Sequence, residues 1–237
     1  MTRDILSLKD RSQLLRIGAV ATWAQLLIIL VYAVLMGFIG PRVQSAEEFI
    51  AVFESSKALS LLRIDLLLMF LIAAYLFNLP AFLLALWRTN AVICIFAGLF
   101  TVIAVTLSFA GEATLSLYHL GQRMQDMGLD ERRGLLAAAD GLLAAGWWHS
   151  SASYMTGITL QGAGILFSLL MLWNPRFSNV TAIAGLTGNS FDMLQHLISP
   201  FAPEVASYFS FAMVAYLLWY PMLGRDLWRV SKEPSEI

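Results

Sequence analysis

The sequence has few charges and almost no cysteine, and these scarcities exclude several classes of protein. Only 13% of the 237 residues are charged, and the net charge is −1. Because the basic residues form no block, the chain lacks the patch that a nucleic-acid binder requires. Its one cysteine, Cys94, excludes an intramolecular disulfide framework and a cysteine-based zinc site. We therefore exclude nucleic acid as a partner.

Apolar residues, in contrast, are abundant, and they make up 59% of the chain. They fall into six runs, each with the roughly 20 residues that a helix needs to cross the hydrocarbon core of a bilayer. The sequence predicts an all-α fold, in which residues 1–237 form a single transmembrane domain. The predicted spans are 14–39, 60–86, 91–119, 151–173, 178–199 and 203–223.

The distribution of basic residues predicts the orientation of this bundle. The two tails and the second and fourth breaks between spans carry nine lysines and arginines, whereas the longer alternate breaks carry six. Because cytoplasmic segments are enriched in lysine and arginine, we expect both termini in the cytoplasm. The very short breaks at 88–90 and 174–176 predict that spans two and three, and spans four and five, pack as hairpins.

One of the long outer segments is itself predicted to contain a helix, at 130–146. Leu135, Leu142 and other apolar residues recur there at helical spacing, and Asp140 falls on the opposite face. This pattern is typical of an amphipathic helix on the outer membrane surface or over the mouth of the bundle. We expect it either to pack on the bundle or to act as a lid.

Small residues are concentrated in spans four and five. Gly157, Gly162 and Gly164 lie in span four, and Gly185 and Gly188 lie in span five. Because small side chains allow helix backbones to approach closely in lipid, we expect these two spans to be the most buried.

Ionisable residues within the spans are the main clue to function, because a charged group in a membrane is costly. With the predicted helix directions, all of them fall in the outer half of the bundle. They are Asp65, Glu112, His119, His149, Asp192 and His196. Two sets are spaced to share one helix face: Ser108, Glu112, Ser116 and His119 in span three, and Asn189, Asp192, His196 and Ser199 in span five.

The spacing of Asp192 and His196 suits a metal site, because it places a carboxylate and an imidazole one turn apart. Glu112 and His119 from span three are the further candidate ligands, and the candidate metals are zinc, iron or copper. Ligand-binding candidates are Asp65, Glu112, Ser116, His149 and Asn189. The alternative is structural, since buried polar groups commonly satisfy one another without catalysing a reaction.

Four segments resemble a family of bacterial polytopic membrane proteins catalogued as domain of unknown function 4386. They are Leu62–Leu67, Ser108–Glu112, Glu131–Ala139 and Pro175–Ser178. The resemblance implies a six-helix membrane architecture and carries no established activity. We expect the protein in a bacterial inner membrane.

Two classes of function follow from the sequence, with a third behind them. The first is a non-enzymatic membrane component, either an accessory subunit of a membrane complex or a protein that binds lipid or a small ligand. The second is a metal-dependent membrane enzyme, in which the metal lowers the pKa of a bound water and a carboxylate acts as base. The third is a small transporter, although the internal repeat typical of that class is missing.

Overall fold

The structure is a computed structural model and describes residues 6–125, 127–145 and 150–233. Within these residues the chain is helical, with eleven α-helices and one short 3-10 helix, Tyr208–Phe211. The α-helices are α1 Leu8–Ile39, α2 Ala46–Ser55, α3 Lys57–Arg63, α4 Leu66–Leu86, α5 Ala91–Gly111, α6 Thr114–Gln125, α7 Leu129–Ala145, α8 Ser151–Trp173, α9 Asn179–Ile198, α10 Pro203–Ser207 and α11 Ala212–Val230.

Local sequence explains where most of these helices begin. Ser7 accepts a hydrogen bond from the backbone N–H of Asp10 at the start of α1, and the Asp10 carboxylate accepts one from the Ser7 N–H. Asn90 and Ser150 cap α5 and α8 through their side-chain oxygens. Such caps satisfy N–H groups that have no partner inside the helix.

Four helical segments are long and apolar enough to cross a membrane, where the sequence predicted six. They are Leu8–Ile39, Leu66–Leu86, Ala91–Gln125 and Ser151–Trp173. The last two predicted spans, 178–199 and 203–223, correspond to α9 and α11, which are helical but carry more polar residues. The range 203–223 was also misplaced, because a short helix and a 3-10 turn precede α11, which runs on to Val230.

Two further predicted boundaries are corrected by the structure. The span predicted at 60–86 begins at Leu66, after the separate helix α3, because Asp65 adopts a left-handed backbone conformation with φ of 74°. The span predicted at 91–119 is interrupted at Glu112, whose extended backbone ends α5 before α6 begins at Thr114.

Six helices form a closed ring that we call the bundle. Around the ring the order is α1, α4, α5, α8, α9 and α11, and α11 packs against α1 to complete it. Both predicted hairpins, α4–α5 and α8–α9, are confirmed. The apolar interior includes Phe82, Phe167, Leu170, Trp219 and Leu223, whereas many large apolar side chains on the outside are exposed. Such an outer surface suits a lipid solvent.

A second apolar core lies outside the bundle, in a unit that we call the cap and that comprises α2, α3, α6 and α7. Its buried residues include Phe49, Phe53, Leu117 and Met124. The helix predicted at 130–146 is present as α7, and it packs chiefly against α2 and α6. Asp140 of α7 accepts a hydrogen bond from the backbone N–H of Ala46 at 2.7 Å. The apolar face of α7 therefore belongs to the core of the cap.

Candidate functional site

Five polar side chains meet between α8, α9 and α11, and we call them the polar cluster: Gln161, Asn189, Asp192, His196 and Tyr216. Gln161 Nε2 donates a hydrogen bond to Asp192 Oδ2 at 2.7 Å. The Tyr216 hydroxyl lies 2.9 Å from the same carboxylate oxygen and 2.8 Å from Gln161 Oε1. Asp192 is thus the point at which polar groups from three helices meet.

The hydrogen bonds of the cluster share one hydrogen between two acceptors. A tyrosine hydroxyl has a single hydrogen to donate, yet Tyr216 lies within hydrogen-bond distance of both Asp192 Oδ2 and Gln161 Oε1. The Tyr216 hydroxyl therefore ties α11 to both α8 and α9 through one shared hydrogen.

Glycines on α8 make room for the α9 members of the cluster. A Cβ at Gly157 would lie 1.7 Å from His196 Cδ2, and a Cβ at Gly164 would lie 2.0 Å from Asn189 Oδ1. The two glycines and the two polar residues have the same seven-residue spacing on the two helices, which pack as a hairpin. The predicted close approach of spans four and five is confirmed, since small residues bring their backbones together.

His196 is oriented by its own helix. Its Nδ1 lies 2.8 Å from the Asp192 backbone oxygen and 3.4 Å from Asp192 Oδ1. The sequence correctly placed this imidazole and carboxylate side by side. Among the described residues, however, no three His, Cys, Asp or Glu side chains come together as a group that could hold a metal ion. The metal set predicted from Asp192, His196, Glu112 and His119 is therefore not assembled.

Glu112 and His119 are displaced because span three is not one continuous helix. Glu112 accepts a hydrogen bond from the Thr114 N–H at 2.9 Å and another from the Thr114 hydroxyl, so it serves the start of α6. His119 and Ser116 are exposed on α6. The predicted face of Ser108, Glu112, Ser116 and His119 was thus wrong, because helical spacing applies only within an uninterrupted helix. His149 lies outside the described residues.

Asp65 belongs to a second polar site, which joins the cap to the bundle. Its carboxylate lies 2.8 Å from Arg42 Nη1 and accepts a hydrogen bond from the Tyr32 hydroxyl at 3.2 Å. Asp65 immediately precedes the span that begins at Leu66. Burial raises the pKa of its carboxyl group, and the Arg42 guanidinium opposes that effect. These contacts fix the junction at which α3 ends and α4 begins.

Sequence reasoning missed three polar residues that the structure shows to be important. Gln161 and Tyr216 complete the polar cluster, and Asp226 is fully buried near the end of α11. Asp226 Oδ2 accepts hydrogen bonds from the Ser178 N–H at 2.9 Å and the Thr181 hydroxyl at 2.6 Å. Gln161 could have been found from the sequence, because it is a polar residue within an otherwise apolar span. Asp226 could not, because it lies among arginines and resembles a residue of the polar tail.

Two recesses differ greatly in size. A cavity inside the bundle, lined by Tyr75, Thr101, Asn189 and Trp219 among others, has a volume of about 10 Å³. That is room for about one water molecule. A groove on the outside of the bundle, between α9 and α11, has a volume of about 300 Å³. It is lined by Val180, Ile183, Ala184, Thr187, Ala215 and Leu218.

No family model, curated protein or solved structure matches the chain. The resemblance to domain of unknown function 4386 therefore stays a prediction. The class that the fold supports is a multi-pass helical membrane protein, since the described residues include four helices able to cross a bilayer.

Proposed function

We propose that the protein is a non-catalytic multi-pass membrane protein that binds a lipid in the groove between α9 and α11. The observation that carries the proposal is the contrast between the recesses. The groove of about 300 Å³ reaches the lower end of ordinary ligand-site volumes, whereas the interior cavity of about 10 Å³ does not.

The polar cluster supports a structural rather than a catalytic role. Asp192 receives a hydrogen bond from Gln161 and contacts Tyr216, and His196 contacts its own helix. A nucleophile or general base needs a reacting group within hydrogen-bond reach, and the adjacent cavity has room for about one water molecule. The hydrogen bonds of the cluster thus hold α8, α9 and α11 together.

The lining of the groove suits a hydrocarbon chain. Five of its six lining residues are apolar, and Thr187 is the exception. Ile183 and Val180 are 56% and 49% exposed, and Leu218 is 48% exposed on the opposite wall. In a bilayer these side chains face acyl chains, and small Ala184 and Ala215 give the groove its depth.

The test compares lipids retained by two variants of the full chain. Ala215→Phe places a ring in the groove, whereas Val102→Phe adds the same ring to the outer face of α5, where Val102 is 46% exposed. After identical purification in mild detergent, we expect native mass spectrometry to show a retained lipid on the wild type and on Val102→Phe. It should be lost from Ala215→Phe. Equal lipid retention by all three proteins would contradict the proposal.

We also propose that α9 and α11 cross the membrane as the fifth and sixth spans, with the cap outside a bacterial inner membrane and both termini in the cytoplasm. Both helices close a ring with α1, α4, α5 and α8, which belong to the four segments long and apolar enough to cross a membrane. Native Cys94 is fully buried, so an introduced cysteine can be labelled selectively. In spheroplasts, from which the outer membrane has been removed, a membrane-impermeant thiol reagent should label Glu131→Cys but not Arg88→Cys. The reverse pattern would overturn the orientation.

A further inference from the structure

We propose that the lipid in the α9–α11 groove is an anionic phospholipid whose phosphate is bound by Arg225 and Arg229. This inference rests on the proposed lipid-binding function and names the class of lipid. It follows from the position of the two arginines relative to the groove, from what holds them there, and from the charge of that end of the bundle.

The two arginines continue the groove wall formed by α11. Leu218, Arg225 and Arg229 are separated by seven and then four residues, which places them on one helix face. With a rise of 1.5 Å per residue, Arg225 lies about 10 Å and Arg229 about 16 Å along the axis from Leu218. Their side chains are 62% and 54% exposed.

The groove wall formed by α9 ends at the level of Arg225 and Asp226 on α11. Thr181 of α9 donates a hydrogen bond to Asp226 of α11 at 2.6 Å. Because Val180 is the neighbour of Thr181 and lines the groove, the groove reaches the level of Arg225 and Asp226. An acyl chain in the groove therefore has its polar end beside the two guanidinium groups.

Asp226 holds the arginines in place without neutralising the site. Its fully buried Oδ1 lies 3.5 Å from Arg225 Nη2 and 3.4 Å from Arg229 Nη2. Arg229 also donates a hydrogen bond to the backbone oxygen of Arg176. Two guanidinium groups thus share one carboxylate, so one positive charge remains for an anion. Guanidinium donors match the oxygens of a phosphate group well.

This end of the bundle is the one predicted to face the cytoplasm. The start of α1 packs beside the end of α11, where the Ser12 hydroxyl donates to the Ser231 backbone oxygen at 2.8 Å. Arg16 lies over the Trp228 ring, 5.5 Å from its centroid. The cytoplasmic leaflet is rich in anionic lipid, so with this orientation Arg225 and Arg229 lie at the level of anionic headgroups.

The experiment measures affinity for two lipids that share acyl chains and differ in headgroup charge, phosphatidylglycerol and phosphatidylcholine. Each is titrated into the delipidated full chain in detergent and followed by native mass spectrometry. The variants are Arg225→Gln and Arg225→Gln/Arg229→Gln, with Arg88→Gln in the α4–α5 turn as the matched control. At about 1 kcal/mol per basic residue near a charged surface, the single variant should weaken phosphatidylglycerol binding roughly fivefold and the double variant roughly twenty-five-fold.

The outcomes separate this inference from the function on which it rests. Selective phosphatidylglycerol binding that falls in Arg225→Gln but not in Arg88→Gln supports both. Equal binding of the two lipids, abolished by Ala215→Phe, would retain the lipid site and overturn the anionic headgroup. Binding of neither lipid would overturn both. Should the double variant unfold because Asp226 has lost its partners, Arg225→Gln still decides the matter, since Arg229 remains beside the carboxylate.

Discussion

The bundle and the cap solve the same packing problem in opposite ways. The cap buries large apolar side chains such as Phe49 and Phe53 and places charged residues outside, where Arg132 pairs with Glu54 at 3.2 Å. The bundle exposes large apolar side chains and buries polar ones, including Gln25, Asn78 and Asp226. This difference is the one expected if the bundle lies in lipid and the cap in water, as we propose, because the solvent decides which side chains can hold helices together.

The physical reason is that lipid removes the hydrophobic driving force between helices. What remains is close packing and hydrogen bonding, which the bundle supplies through Gly157 and Gly164 and through the polar cluster. The Asn78–Gln25 pair does the same between α4 and α1, with a hydrogen bond of 2.5 Å. With the cap in water, as we propose, that driving force is present and aromatic packing suffices there.

The largest expected effect comes from truncating the cap core. Phe53 is 1% exposed and contacts Phe49 and Tyr118 with ring centroids 5.6 and 5.4 Å apart. Phe53→Ala should destabilise the cap by about 3–5 kcal/mol through lost burial and a residual cavity. Hydrogen exchange should accelerate in α2, α6 and α7 while the bundle stays protected.

The matched control for that truncation is Phe96→Ala on the bundle. Phe96 is 53% exposed on α5, so its ring contacts lipid rather than filling the interior of the bundle. We expect a change in stability below about 1 kcal/mol, because lipid solvates the site as well as protein does. A loss as large as that of Phe53→Ala would show that the two regions do not differ as described.

The next effect concerns the glycines between α8 and α9. Gly157→Ala forces a methyl group to within 1.7 Å of His196 Cδ2 unless the helices separate. We expect a loss of about 1–3 kcal/mol from overpacking, measured by thermal unfolding in detergent. Gly141→Ala on α7 is the control, because a Cβ there meets nothing within 4 Å. It should be neutral or stabilising, since alanine favours a helix by about 1 kcal/mol over glycine.

The smallest effect distinguishes two substitutions at one position of the polar cluster. Asp192→Ala removes the partner of Gln161 and Tyr216 and should cost about 1–2 kcal/mol. Asp192→Asn should stay within about 0.5 kcal/mol of the wild type, because an amide oxygen at the position of Asp192 Oδ2 still accepts from both Gln161 and Tyr216. Both variants are compared by thermal unfolding. If Asp192→Asn were as unstable as Asp192→Ala, the role assigned to the hydrogen-bond acceptor at position 192 would be wrong.

Much of the fold could be predicted from the sequence, because helices that can cross a membrane are recognised by their length and apolarity. The hairpins and the approximate bounds of α7 followed from short turns and from helical periodicity. The break at Glu112 could not be foreseen, because the sequence there remains apolar enough to continue a helix. The cap core was missed for a related reason, since its aromatic residues are divided between two loops that are distant in sequence.

The candidate site was only half predictable. Asn189, Asp192 and His196 share one helix, so their common face follows from spacing alone. Their partners Gln161 and Tyr216 come from other helices, and the order of helices around the ring is not encoded in any local pattern. The same limitation produced the error at Glu112 and His119, which were joined to Asp192 on the assumption that their helices meet.

The packing of α1 against α11 also has a consequence for biogenesis. The ring of helices closes only when the final described helix docks against the first, which the ribosome makes more than 170 residues earlier. Until then Trp23 of α1 lacks its α11 partners, which in the finished protein are the Trp228 ring and the Pro221 backbone oxygen. The nascent chain therefore holds an incomplete, open arc in the membrane, and a chaperone or insertase would find its binding surface on that unclosed edge.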